Sequence, residues 1–224
     1  MNAHGFLERC HARGVHIVFV GQCGINKDGN GTNTHVAYTM GTRVQKGRQV
    51  TVYWKKELDD LVWVVMEADR VMAIEIDGKR IFGVYGKTGS SPAEYLHWLE
   101  TVGRKNRNRD GILVGDWNAH HRAWGEEDRE NGRGRTLQEW TTEEGYELVD
   151  ISGPTWERTD GEGQRHSRID LVFTKGTSMW DHPETEKLTS DHWALFAYME
   201  LEIGIGEQVR KVVDWAKDED TIEE

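Results

Sequence analysis

Three short polar stretches, each next to an apolar run, contain the side chains of this chain that could perform acid–base chemistry. The first is Gly115-Asp116-Trp117-Asn118, which follows a short run typical of a buried strand. In the second, Asp170 interrupts the alternating apolar pattern of residues 167–173. The third is Ser190-Asp191-His192, at the start of another apolar run. A carboxylate can act as a base or bind a metal, and histidine changes charge near neutral pH.

Each stretch taken alone also has an ordinary structural explanation. Asp and Asn are common in turns that follow strands, because their side chains bond to nearby backbone groups. A buried Asp170 needs a partner, which could be Arg165 or Arg168 instead of a catalytic histidine. A pair such as Asp191-His192 is common by chance. The individual stretches therefore leave their chemistry open.

The elements that must position these stretches are short strands with a few helices between them. Asp77-Gly78 is a strong hairpin signal, and Ser91-Pro92-Ala93-Glu94 is typical of a capped helix start. Helices are predicted over residues 5–13, 92–103 and 135–145. Strands are predicted over residues 15–20, 35–40, 50–54, 61–66, 71–76, 80–85, 111–115, 147–151, 168–174 and 193–201. This pattern predicts a layered α/β fold with two packed sheets and outer helices.

Length and composition limit the class of protein. The 224 residues fit one domain, predicted over residues 1–203, with an acidic linker or tail over 204–224. No apolar run approaches the roughly 20 residues of a membrane helix. Cys10 and Cys23 alone cannot form a disulfide framework or a zinc site, which favours a reducing compartment. The net charge of -11 argues against bulk electrostatic binding of nucleic acid, but a nuclease needs only a local basic rim.

Together, the Asp-x-Asn, Ile-Asp-Leu and Ser-Asp-His stretches resemble the endonuclease/exonuclease/phosphatase superfamily, over about residues 2–201. His120-His121 with Trp124-Gly125, Thr155-Trp156 and Val213-Asp214-Trp215 look most like the apurinic-type endonuclease domain of non-LTR (LINE-like) retrotransposons. The resemblance implies a four-layered α/β sandwich, in which two packed mixed β-sheets are flanked by helices. In that family the first strand precedes a metal-site asparagine, which Asn2 matches here. Only Met1 comes before Asn2, so this first strand is expected to be missing.

The resemblance also implies an activity and a set of catalytic residues. The expected enzyme is a hydrolase that cleaves DNA phosphodiesters with Mg²⁺, or with Mn²⁺ in its place, and leaves a 3′-hydroxyl to prime reverse transcription. Asp116 would be the general base, and Asn118 would help to hold the phosphate and that base. His192 would stabilise charge on the scissile phosphate, and Asp170 would orient it. Tyr85 would contact the phosphate or the leaving oxygen.

The metal site implied by the resemblance contains Asp191 and Asn2, but it departs from the family at Cys23. The family has a metal-binding Glu at that position. A thiol is a soft ligand and is neutral below its reference pKa of about 8.5, so it replaces a carboxylate on Mg²⁺ poorly. Asp28 in the following loop could substitute. These departures predict that the activity is reduced or lost.

Contact with DNA is expected in residues 155–167, because related retrotransposon nucleases insert the matching loop into the minor groove. An arginine there senses the width and potential of the groove. The alternative is a solvated hairpin. The candidate DNA-binding residues are Arg158, Arg165, His166, Ser167 and Arg168. A second basic cluster, either a solvated loop or a phosphate contact, comprises Arg104, Lys105, Arg107 and Arg109.

The expected partners are DNA and a reverse transcriptase domain in a longer polyprotein that this chain does not include. No membrane partner is expected, and the chain should be a monomer in the nucleus or cytoplasm. One rival is a superfamily phosphoesterase that acts on small phosphate esters, which His120-His121 and Trp124 disfavour. The other is a non-catalytic DNA- or protein-binding module on the same scaffold, which Cys23 and the short N-terminus favour.

Overall fold

The computed structural model describes residues 3–21, 35–41, 49–107, 109–126, 129–160, 163–176 and 179–199. The predictions for Asn2, Cys23, Asp28 and the tail 204–224 lie outside these residues. The described ranges contain helices α1 (Ala3–Ala12), α2 (Pro92–Asn106) and α3 (Gly132–Glu144). Their strands are β1 (Ile17–Gly21), β2 (Tyr38–Met40), β3 (Val50–Lys55), β4 (Trp63–Ala68), β5 (Val71–Ile76), β6 (Lys79–Tyr85), β7 (Gly111–Asp116), β8 (Glu147–Leu148), β9 (Trp156–Asp160), β10 (Gly163–Ser167), β11 (Asp170–Lys175), β12 (Met179–Lys187) and β13 (Trp193–Met199).

A six-stranded sheet forms one central layer, with the strand order β4-β5-β6-β7-β11-β8. It is a mixed sheet, because β6 and β7 are parallel whereas the other neighbours are antiparallel. The buried strands β6, β7 and β11 lie in its middle. The last residues of β6 and β7 and the first residue of β11 are therefore neighbours at the same end of these central strands.

The second central layer contains the β1-β3-β2 sheet and the β12-β13 pair. Its apolar side chains, such as Phe19 of β1 and Leu195 of β13, pack in one core with Ile74 and Val114 of the six-stranded sheet. Every described pairing in this layer is antiparallel. The expected packing of two sheets is thus confirmed, but only the six-stranded layer is mixed among the residues described.

Helices cover both outer faces. Phe6 and Leu7 of α1 pack with Phe196 on one side. On the other side, Leu99 of α2 and Trp140 of α3 share a core with the six-stranded sheet. The predicted four-layered α/β sandwich is therefore confirmed. Within the described residues, no helix is both long and apolar enough to span a membrane.

Two strands differ from the prediction in ways that matter for the site. Strand β11 begins at Asp170 rather than at residue 168, because the N–H groups of Ile169 and Asp170 both donate to Thr155 Oγ1. Strand β12 was not predicted, since its sequence is polar and contains Pro183. The register between β12 and β13 shifts between Trp180 and Glu184, and an interruption of this kind accommodates proline in a sheet.

Candidate active site

Three polar side chains form one row across the ends of neighbouring central strands in the six-stranded sheet. Tyr85 on β6 is the register partner of Asp116 on β7, and Asp116 is the partner of Asp170 on β11. Val114 lies two positions before Asp116 and Val172 two positions after Asp170, and both belong to the core between the sheets. Because side chains alternate across a strand, both carboxylates face that same side. The strand ends therefore place two acids and a phenol at one opening of the sandwich.

The histidine at this opening comes from the second layer, directly before β13. The hydroxyl of Ser190 accepts a hydrogen bond from the backbone N–H of His192 at 3.1 Å. His192 Nδ1 lies 2.9 and 3.1 Å from the two carboxylate oxygens of Asp170. His192 Nε2 lies 3.8 Å from Asp116 Oδ2, which is too far for a hydrogen bond. The three predicted stretches thus converge, with Nε2 facing Asp116.

Asn118 fixes the carboxylate of Asp116. The backbone N–H of Asn118 donates to Asp116 Oδ1 at 2.9 Å, and Asn118 Nδ2 donates to Asp116 Oδ2 at 2.8 Å. The second hydrogen on Nδ2 goes to the Gly86 carbonyl at 2.9 Å. A backbone turn with a positive φ of 47° at Asn118 makes this geometry possible. Both amide hydrogens are used, so Oδ1 is the side-chain atom left to contact another group.

Burial and opposite charge set the ionisation of the site. Asp116 is only 1% exposed. Burial raises the pKa of its carboxyl to about 7, even though His192 and Asn118 favour the charged form. Burial alone would lower the pKa of His192, but the carboxylates of Asp170, Asp116 and Asp191 raise it to about 9. At neutral pH, His192 is therefore an imidazolium that donates to Asp170 from Nδ1.

Two sets of side chains bear on metal binding. Ligand atoms of Asp116, Asp170 and His192 lie within 4.8 Å of one another, so this group could hold a metal ion. An imidazolium has no lone pair for a metal, so such an ion would first have to displace the proton of His192. Asp191 lies at the same opening, where Trp156 Nε1 donates to its Oδ2 at 3.1 Å.

A cavity of about 280 Å³ opens over these residues, and it is called the site cavity below. Most of the residues predicted from the sequence line it. Asp170 does not line it but contacts His192, which does. The predicted residues that line it are Tyr85, Asp116, Asn118, Arg158, Ser167, Asp191 and His192. Arg165, His166 and Arg168 do not line it.

The expected DNA-contacting segment forms a hairpin of β9 and β10 beside the site cavity. Arg158 and Arg165 are register partners on the two strands, and both are exposed. Arg129 holds the hairpin base by donating to the His166 carbonyl at 2.8 Å and to Ser167 Oγ at 3.1 Å. Arg168 Nε donates to the Gly153 carbonyl. The hairpin thus presents Arg158 towards the site and keeps Ser167 at its base.

The second basic cluster lies at the other end of the sheet. It spans the end of α2 and the connection to the first residue of β7, whereas Asp116 is the last residue of β7. A six-residue strand is roughly 17 Å long. Arg109 there pairs with Glu75 at 3.1 Å. This placement favours the solvated-surface alternative for the cluster.

Several contacts that support the site have no local signal in the sequence, although Thr155-Trp156 is one of the stretches that resemble the retrotransposon family. Thr155 is fully buried, and its Oγ1 accepts the backbone N–H groups of Ile169 and Asp170 at 3.0 and 2.9 Å. Arg133 of α3 donates from Nε to the Asn118 carbonyl at 2.9 Å. Glu126 accepts from His120 and from the backbone of Arg168. Each contact joins residues more than five positions apart, which only the fold reveals.

A known family matches the part of the chain that contains these residues. The family described as endonuclease-reverse transcriptase matches residues 79–196, more than half of the chain. The matched segment contains Tyr85, Asp116, Asp170 and His192. A comparison with curated proteins finds no match.

Solved structures of nucleases share the fold. The endonuclease domain of TRAS1, a telomere-specific non-LTR retrotransposon, is 18% identical with a TM-score of 0.69, over 88% of this chain and 91% of that one. A 3′-5′ exonuclease from Neisseria meningitidis is 14% identical with a TM-score of 0.64, over 88% and 96%. An AP endonuclease from Archaeoglobus fulgidus is 17% identical with a TM-score of 0.62, over 87% and 93%. At these identities, the likeness shows the fold.

Proposed function

Because the chain belongs to the endonuclease-reverse transcriptase family, we propose that it is a metal-dependent DNA endonuclease that nicks target DNA and leaves a 3′-hydroxyl. The observation that carries this proposal is the convergence of Asp116, Asp170 and His192 at the strand ends, where Asp116 and His192 line one cavity. Family membership supports a nuclease of the hydrolase class. The 3′-hydroxyl would serve a reverse transcriptase in a longer polyprotein.

Asp116 is the general base of the proposed reaction. Its ionised form accepts a proton from the attacking water, and a pKa of about 7 makes it an effective base near neutral pH. Asn118 holds both of its oxygens in place, so little reorientation is needed when the water arrives. The remaining Oδ1 of Asn118 can accept a hydrogen bond from the same water.

His192 stabilises the negative charge that develops on the phosphate. It is an imidazolium at neutral pH, and Asp170 holds its Nδ1–H, which leaves Nε2–H to donate to a phosphate oxygen. Fixed donors of this kind contribute strongly in a partly buried site. Tyr85, which lines the same cavity, can donate from its phenol to the phosphate or to the leaving oxygen.

The donors at the site cavity fit a hard divalent cation. Mg²⁺ prefers oxygen ligands and can be held by one or two carboxylates together with substrate phosphate oxygens. We assign it to Asp191, with Asn2 and Cys23 as the expected partners outside the described residues; Mn²⁺ could take its place. When bound, the ion would neutralise phosphate charge as a Lewis acid. Of these three expected ligands, the soft thiol of Cys23 suits Mg²⁺ least.

DNA is the proposed substrate, and the hairpin beside the site cavity is its proposed contact. Arg158 lines the cavity and Arg165 is its register partner on β10, which supports a role for both guanidinium groups in a groove or at phosphates. His166, Ser167 and Arg168 lie at the base of the hairpin, where Ser167 lines the cavity. These residues are the proposed local basic rim of a chain whose net charge is -11.

The test is cleavage of supercoiled plasmid in Mg²⁺ and in EDTA, followed by extension of the nicks with a DNA polymerase. The proposal predicts open-circular DNA only with the metal, and nicks that the polymerase extends without prior end repair. Small phosphate esters, offered in parallel, should not be hydrolysed. Hydrolysis of the esters alone would support the phosphoesterase, and DNA binding without cleavage would support the non-catalytic module.

A further inference from the structure

A second carboxylate–histidine pair stands at the site cavity. His120 lines the cavity together with Asp116 and His192. Its Nδ1 lies 3.1 Å from Glu126 Oε2. This pair parallels Asp170–His192, but the proposed mechanism does not use it. His121, the other half of the paired-histidine motif, has a structural task, because its Nδ1 accepts the N–H of Ala123 at the start of a short helical turn.

Glu126 is well suited to hold the ring of His120. It is 8% exposed, and its other oxygen, Oε1, accepts the backbone N–H of Arg168. Burial alone would raise the pKa of Glu126, but these hydrogen bonds lower it. An ionised carboxylate can only accept, so the proton of the pair sits on His120 Nδ1. The other ring nitrogen, Nε2, is then the one that can serve a ligand.

The backbone of His120 is also held. The Asn131 N–H donates to the His120 carbonyl at 3.0 Å, and Asn131 Oδ1 caps the start of α3. Gly134 lies so close that an added Cβ would meet the same carbonyl at 1.9 Å. His120 Nε2 has no hydrogen-bond partner among the described residues. The backbone of His120 is thus held by Asn131 and its ring by Glu126, while one ring nitrogen is left over in a residue that lines the site cavity.

We propose that His120, held by Glu126, binds a backbone phosphate of the DNA strand through Nε2–H of its imidazolium. The inference rests on the proposed function, because it names a contact between the same cavity and DNA. Phosphate is the matching ligand, since DNA presents its charge on phosphate oxygens that only accept hydrogen bonds. The Glu126 carboxylate accepts from Nδ1 and fixes the ring, so Nε2–H is the donor that remains for the strand.

The experiment measures DNA binding by fluorescence anisotropy across a KCl series, in EDTA and at one fixed, mildly acidic pH. Each charged phosphate contact adds about 0.9 to the magnitude of the negative slope of log K against log salt. His120→Gln, which keeps an N–H donor for Glu126, should reduce that magnitude by about 0.9. His97→Gln is the control, because His97 is exposed on α2, on the far side of the six-stranded sheet.

Melting temperatures show whether His120→Gln folds. If it does not, His120→Lys decides at the same pH: a lysine that replaces a charged phosphate contact should keep the salt dependence of the unsubstituted protein, and a slope steeper by about 0.9 would overturn the inference. An unchanged slope in folded His120→Gln, or an equal loss in His97→Gln, would overturn the inference while leaving the proposed function standing. Failure of the unsubstituted protein to bind DNA would overturn both.

Discussion

Asp170 and His192 lie on different sheets, yet His192 Nδ1 meets both carboxylate oxygens of Asp170, at 2.9 and 3.1 Å. Asp170 begins β11 of the six-stranded sheet, whereas His192 comes directly before β13 of the opposite layer. The geometry of the site therefore depends on how the two sheets pack. The core between them, with Val172 and Leu195 on either side, is what sets this distance.

Replacing Asp170 by Asn should disable the site without unfolding the protein. The amide keeps the shape of the side chain but removes the charge that holds His192 as an imidazolium. We expect the rate of Mg²⁺-dependent nicking to fall by about 10²–10⁴, the usual contribution of a positioned acid or base. Single-turnover nicking of plasmid measures it, with the exposed Asp150→Asn as the control. A rate within twofold of the control would contradict the assigned role of Asp170.

The dependence of kcat/KM on pH should be bell-shaped. Asp116 must lose its proton to act as a base, and its raised pKa of about 7 means that the rate grows with pH up to that value. His192 must keep its proton, and its raised pKa of about 9 means that the rate declines above that value. Nicking assays across this range give the profile. His192→Gln should remove the alkaline decline, and its survival in that variant would assign the decline to another group.

Thr155 should support both stability and the site. Thr155→Val would leave the buried N–H groups of Ile169 and Asp170 without their acceptor, at a cost of about 1–3 kcal/mol for each unsatisfied group. The free energy of unfolding should therefore fall, and the nicking rate with it, because Asp170 loses its anchor. Urea denaturation and nicking assays measure the two effects. Thr155→Ser, which keeps the hydroxyl, should retain most of both, and an equally unstable Ser variant would point to packing instead.

Much of the fold could be predicted because local patterns agree with it. The apolar run of β5, the Asp77-Gly78 turn and the capping box at Ser91 and Glu94 each specify their element alone, and all three occur in the structure. Strand β12 could not be predicted, since polar residues around Pro183 oppose a strand and only its pairing with β13 makes one. Tertiary pairing overrides local propensity there.

The same distinction between local signals and tertiary contacts applies to the residues of the site. Asp116, Asp170 and His192 could be singled out because each is a polar residue beside an apolar strand, in an order that resembles a known family. Thr155 stands out only through the resemblance of Thr155-Trp156 to that family, and neither its contact nor that of Glu126 could be predicted, because the partners are 15 and 42 positions away. The use of both Asn118 amide hydrogens within the protein was equally hidden, since it depends on the approach of the Gly86 carbonyl.

Cys23 allows a gain-of-function test outside the described residues. Cys23→Glu should raise Mg²⁺-dependent nicking, because a carboxylate is a hard oxygen ligand and a neutral thiol is a soft one. We expect an increase of about tenfold or more, from the charge stabilisation that a well-held ion adds. Cys23→Gln is the matched control, with similar size and no charge, and should not gain. Equal rates for all three proteins would show that Cys23 does not occupy a metal position.

The most direct test of the account is the rate at which Asp116→Asn nicks supercoiled plasmid in Mg²⁺, relative to the unsubstituted protein. The substitution preserves shape, and the backbone N–H of Asn118 can still donate to the side chain. The account predicts a loss of about 10²–10⁴, because the amide cannot take a proton from water. A variant that folds normally and nicks DNA as fast as the unsubstituted protein would show that the cleavage takes place elsewhere.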